Sequence, residues 1–105
     1  MSQVYLVYIT ASGVEEAKEI GQKLVEERLA ACVNVIPKIH SFYWWEEKLC
    51  EDAEAVILAK TKERLVNQVI KRVKELHSYT LPAILAWPIA QGLNEFLNWV
   101  EEETI

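Results

Sequence analysis

Cys32 and His77 are the side chains of this sequence best suited to a soft metal ion. A thiolate suits copper(I) or zinc, while a histidine at a helix end is favoured by the helix dipole whether or not it binds anything. Spacing does not decide the matter, because neither CxxC nor HxxxH occurs. Cys32 reads equally as a small buried hydrophobe, as free cysteine usually is. Tyr79, two residues after His77, could line a cleft beside a sheet together with Lys60, at the end of a strand. His40 alternates with Phe42 and reads as part of an interface. Cys50 stands among Glu47, Glu51, Asp52 and Glu54, whose like charges disfavour its thiolate, so an activated nucleophile is not expected. A glycine-rich phosphate loop, a GxSxG elbow and an HExxH helix are all missing from the sequence, and no enzymatic activity is expected.

These residues sit in a chain of 105 with 51% hydrophobic and 26% charged residues. That balance excludes disorder and suits one domain over residues 1–105. Eleven Lys and Arg against sixteen Asp and Glu give a net charge of −5. No excess of cations exists to neutralise phosphates, which argues against nucleic acid or an anionic membrane as partner. The apolar stretch at residues 4–9 is too short to span a bilayer and lacks a basic leader. Two cysteines are too few for a disulfide framework. A soluble protein of a reducing compartment, the cytoplasm, is expected.

The elements that must position the candidate residues follow from periodicity. Residues 3–10 (QVYLVYIT) are β-branched and aromatic on both faces, the profile of a strand covered on both sides. Ser12 offers an N-cap with Glu15 completing a capping box. A helix over 13–29 carries Val14, Ala17, Gly21, Leu24 and Arg28 at helical spacing, with Glu27 on the wet side. Residues 31–45 form a strand that Pro37 confines to a sheet edge or a bulge. Glu46, Glu47 and Lys48 make the turn, and the chain returns over 49–61. A second helix over 62–77 points Leu65, Val69, Val73 and Leu76 inward, leaving Lys62, Arg64, Lys71, Arg72 and Lys74 as its solvated face. A strand over 83–89 precedes a last helix that starts near Leu93 or Asn94 and buries Leu93, Phe96, Leu97 and Val100. The order βαββαβ plus a helix predicts an α+β, ferredoxin-like fold, with both helices on one face of an antiparallel sheet. Its other face lacks an obvious cover.

The hairpin is too long for its body. Fifteen residues at about 3.3 Å each reach ~50 Å if straight, or ~40 Å with a kink at Pro37. A compact chain of this length is only roughly 33 Å across. Phe42, Tyr43, Trp44 and Trp45 would then stand near the tip as an apolar patch that monomers rarely tolerate. Arms packed against neighbouring subunits in a closed ring remove the problem; the alternative is a hairpin that curls back on its own open face.

Residues 27–34 (ERLAACVN), 42–48 (FYWWEEK), Glu51–Asp52, Lys60–Thr61, 76–79 (LHSY) and Pro82 together resemble the CutA divalent-cation tolerance family over nearly the whole chain. The resemblance implies a homotrimer with interlocked hairpin arms, similar in architecture to the trimeric PII signalling proteins. It also implies a role in metal tolerance through binding copper or another divalent ion. Copper binding is attributed to some members, with a cysteine matching Cys32 among the ligands, and His77 is taken as a ligand beside it. Trp44, Glu51, Lys60, His77 and Tyr79 match positions near the cleft between subunits. The alternative is a signalling or scaffolding trimer that holds a small anion in that cleft, with Lys60 as charge partner and Trp44 and Tyr79 as walls. Three departures from the family pattern stand out. Glu47 replaces the glycine of WWEGK, LHPYE becomes LHSYT with Ser78 and Thr80, and Cys50 replaces a glutamate.

Overall fold

The computed structural model describes residues 3–105, so positions 1 and 2 of the expected domain lie outside the described residues. β1 (Val4–Ala11), α1 (Val14–Glu26), β2 (Cys32–Trp45), β3 (Lys48–Lys62), α2 (Val66–Leu76), β4 (Ile84–Pro88) and α3 (Asn94–Glu102) follow in that order. The four strands form one antiparallel sheet in the order β2-β3-β1-β4. This is the expected α+β arrangement. Alternation places Val7, Ile9 and Ala11 of β1 beside Ala59, Ile57 and Ala55 of β3, and all six are buried under the helices. Ala17, Ile20 and Leu24 of α1 and Val69 and Val73 of α2 close that core.

The opposite face differs from the expectation for β1. Leu6 and Tyr8 are only half-buried there, beside Trp87 and Leu85 of β4. Leu85 and Trp87 are exposed; on that side α3 covers only the end of the sheet, where Val4 packs against Val100.

Helix α1 stops at Glu26, short of the expected Leu29. Arg28 takes the left-handed region at φ 60°; its N–H bonds the Val25 carbonyl and the Leu29 N–H the Leu24 carbonyl. That is a Schellman end built without the usual glycine. The expected capping box is displaced by one residue. Gly13 stands at the N-cap with no side-chain bond, and Glu16, not Glu15, accepts the Ser12 N–H at 2.9 Å. Close approach fixes Gly21, since a Cβ there would stand 2.9 Å from Val33 Cγ2.

Helix α2 opens with a 3₁₀ turn, Glu63–Leu65, and Lys62 belongs to β3. Far from solvated, Lys62 is buried, its Nζ donating to the carbonyls of Glu101 and Thr104 at 3.2 and 3.3 Å. A cation is favoured there because the C-terminal end of α3 is the negative end of the helix dipole. Arg72 is likewise engaged, forming two bonds of 2.9 and 2.8 Å to the Glu27 carboxylate that tie α2 to α1. The last helix buries Val100 and partly Leu97, whereas Leu93 and Phe96, expected inside, are exposed. Only one stripe of α3 meets the sheet.

Strand β2 is both an edge strand and bulged. Ile36 pairs with Val56 and Ile39 with Glu54, so Pro37 and Lys38 absorb one extra residue. Trp45 pairs with Lys48, leaving a two-residue turn. Glu46 and Glu47 hold φ of 49° and 64°, as a type I′ turn requires of both central residues. Helix α1 has 13 residues and spans only about 20 Å, so the distal hairpin has no helix over it. The chain measures 45 × 25 × 22 Å, drawn out along this arm.

Candidate functional site

Where α2 ends, His77 turns into the sheet and is buried. Its Nε2 lies 2.7 Å from the Thr10 carbonyl, which accepts only, so this nitrogen carries the proton. Nδ1 accepts the Tyr79 N–H at 3.1 Å. Both ring nitrogens are thus occupied, and His77 offers no free lone pair to an ion. Tyr79 packs its ring against the imidazole, with centroids 4.7 Å apart, and donates its hydroxyl to Glu54 at 2.8 Å. Burial and the bond to Glu54 push the Tyr79 phenol well above its ordinary range. Glu16 completes the corner by accepting the N–H groups of Ser12 and Ser78. Partial burial raises its carboxyl, but hydrogen bonds from Ser12 and Ser78 outweigh that and hold it at about 2.

Cys32 opens β2 directly opposite Lys60. Its thiol is free and half-buried. Lys60 donates to the Asn34 side-chain carbonyl and, at 3.3 Å, to the Leu58 carbonyl. Both acceptors are neutral, and among the described residues no carboxylate forms an ion pair with this ammonium.

Trp44 and Glu51 lie on the arm, distant from that pair. Trp44 is 72% exposed, the most open of the arm's rings. Alternation puts Trp44 and Glu51 on the face opposite to Cys32 and Lys60. Tyr43 and Trp45 share the Cys32 face, and Tyr43 donates its hydroxyl to Asp52; that bond raises its phenol to about 12. Nine residue steps of β3 separate Lys60 from Glu51, roughly 30 Å of strand. Within one chain, therefore, His77 and Tyr79 come together, as do Cys32 and Lys60, while Trp44 and Glu51 join neither. A recess of about 380 Å³ runs along α1 beside Glu16, Glu19, Lys23 and Leu76; another of about 410 Å³ lies on α2 beside Lys71 and Arg72. One chain by itself does not bring all the expected residues into one cleft.

A model of the CutA1 divalent ion tolerance protein family matches residues 5–103. The chain belongs to the CutA1 family. It is 48% identical to the divalent-cation tolerance protein CutA of Archaeoglobus fulgidus, over 91% of this chain and 93% of that one. The Thermus thermophilus protein of the same name is 46% identical over 94% of this chain and 96% of its own. The crystal structure of CutA1 from Oryza sativa superposes with a TM-score of 0.96 at 38% identity, covering 99% of this chain and 95% of that one. CutA relatives include proteins described as chloroplastic and as periplasmic, so family membership does not carry the expected cytoplasmic placement. Among the described residues, no helix of this CutA1 chain is long and apolar enough to cross a membrane.

A divalent ion, implied by the family name, does not fit a single CutA1 chain. Among the described residues no three His, Cys, Asp or Glu side chains gather around one point. His77 is committed to Thr10 and Tyr79, and Cys32 pairs across the strands with a lysine, Lys60. Sequence reasoning passed over Glu16, Asn34 and Glu54, the acceptors that fix Ser78, Lys60 and Tyr79. Ser78 and Glu16 lie 62 residues apart and Tyr79 and Glu54 25 apart, so no local spacing announces either pair.

Proposed function

We propose that this CutA1 chain serves divalent-ion tolerance as a homotrimer, and that it meets copper or another divalent ion at Cys32 where copies adjoin. The observation that carries this reading is the uncovered apolar surface. Phe42, Trp44, Trp45 and Leu49 on the arm and Leu85 and Trp87 on the open sheet face are all at least 43% exposed. Surfaces of that kind mark sites of association. A ring of copies covers the arms and supplies the ligands that one chain lacks. Cys32 contributes the soft donor; His77 joins such a site only by giving up the Tyr79 N–H. The two free cysteines suit a reducing compartment such as the cytoplasm. Copper(I) titration followed by thiolate charge-transfer absorption tests the metal contact. Binding is expected to survive Cys50→Ser and to vanish in Cys32→Ser; equal binding by both variants contradicts it.

Lys60 favours a second reading, of the PII-like kind. Its side chain meets only neutral acceptors and is not paired with a carboxylate, which leaves it to a small anion, with Trp44 and Tyr79 walling the cleft between copies. A thermal-shift series with nucleotides and citrate examines this, since a ligand of the native state raises the melting temperature. A shift that disappears in Lys60→Met supports anion binding, and no shift with any anion rejects it.

A further inference from the structure

The segment that carries Tyr79 is held by a residue distant in sequence. After Leu76 the backbone leaves the helix, His77 being extended at φ −77° and ψ 143°. Residues 77–80 (HSYT) contain no proline, so no ring stiffens this corner. Glu16, in the first turn of α1, reaches it instead. One carboxylate oxygen accepts the Ser12 N–H at 2.9 Å and the other the Ser78 N–H at 2.8 Å. The second oxygen also lies 3.9 Å from Nδ1 of His77, and the Glu16 side chain is 15% exposed. The same Nδ1 accepts the N–H of Tyr79, whose hydroxyl reaches Glu54.

We propose that Glu16 is a positioning residue for Tyr79: its carboxylate clamps Ser78, and the clamped corner holds the Tyr79 hydroxyl on Glu54. The functional weight of this rests on Tyr79 as a wall of the cleft; the positioning itself rests on geometry within one chain. The carboxylate is specifically required. Two backbone donors converge on it, and an amide in its place would offer one carbonyl oxygen and turn an NH₂ group toward the other donor. A proline at position 78 would make the clamp unnecessary by another route. It has no N–H to satisfy, and it demands an extended residue before it, as His77 already is.

Nuclear magnetic resonance on the full chain with ¹³Cζ-labelled tyrosine tests the proposal, with Tyr79→Phe assigning the signal. In Glu16→Gln, amide exchange at Ser78 and Tyr79 is expected to accelerate at least tenfold, while exchange at Val7 and Ile57 in the core stays unchanged. The Tyr79 ¹³Cζ shift is expected to move toward that of a solvated phenol. In Glu16→Gln with Ser78→Pro, the Tyr79 shift is expected to return to its original position. An unmoved Tyr79 signal and unchanged Tyr79 exchange in Glu16→Gln overturn the proposal, even if the proline variant does not fold. So does a folded double variant in which the signal fails to return. Sedimentation of the unaltered chain reads the assembly separately, so failure of the trimer is not confused with failure of the clamp.

Discussion

Glu16 links local chemistry to stability more directly than any other side chain here. Its carboxyl is lowered from 4.5 to about 2, so the folded chain resists protonating it more strongly than the unfolded chain does. A group with a depressed native value contributes fully above pH 4.5 and loses that contribution as the pH falls toward 2. At about 1.4 kcal/mol per unit, roughly 3 kcal/mol is at stake. Urea midpoints at fixed protein concentration should therefore fall more steeply between pH 5 and pH 2 in the unaltered chain than in Glu16→Gln. Parallel slopes would show that the carboxylate is not held by Ser12 and Ser78. The same scale explains which candidate residues the sequence could reveal. Lys60 and Tyr79 were legible as polar groups at element ends. Their acceptors, Asn34 and Glu54, were not, because cross-strand and loop-to-strand bonds leave no periodic trace. Lys62 was misread for a similar reason: charge suggested solvent, whereas the carbonyls at the end of α3 supply a buried partner.

Elements were most legible where one physical rule acts alone. Leu65, Val69 and Val73 recur at helical spacing, and all three are buried in the structure; Pro37 announces a break and stands at the bulge. Boundaries set by unusual backbone were not legible. Arg28 ends α1 in a conformation that a reader expects of glycine. The hairpin turn has the same character, since Glu46 and Glu47 both occupy the left-handed region. Each non-glycine residue there costs about 1–2 kcal/mol. Replacing the pair by Asn-Gly should stabilise the arm by about 1 kcal/mol, read as a higher unfolding midpoint. A lower midpoint would mean that the glutamates make compensating contacts. Gly21 gives an opposite prediction. Alanine ordinarily favours a helix by about 1 kcal/mol over glycine, yet its Cβ would meet the stiff Val33 side chain at 2.9 Å. Overpacking of this kind costs about 1–3 kcal/mol. Gly21→Ala should thus destabilise by about 1 kcal/mol, and Val33→Ala should offset the loss in the double variant. A stabilised Gly21→Ala chain would show that α1 can lift away from β2.

As a whole, the molecule is drawn out and exposes more surface than a compact chain of its length. Its radius of gyration is 14.2 Å, where about 13 Å suits a compact chain of this length. It exposes 6695 Å² against about 6,000 Å² for a compact folded monomer of this mass. The excess lies along an arm that no helix covers, and one sheet face presents Leu85 and Trp87 to solvent. This mismatch between arm and body was legible in the sequence from strand length and from the FYWW run. The number of copies in the proposed ring was not, because length and apolarity point to association without saying how many. Sedimentation equilibrium of the purified chain at micromolar concentration, alone and as Trp44→Glu with Trp87→Glu, tests the central claim. The unaltered chain should have three times the 12.1 kDa of one copy, and the charged variant should fall toward a single copy. An unaltered chain that sediments at 12.1 kDa would contradict the account.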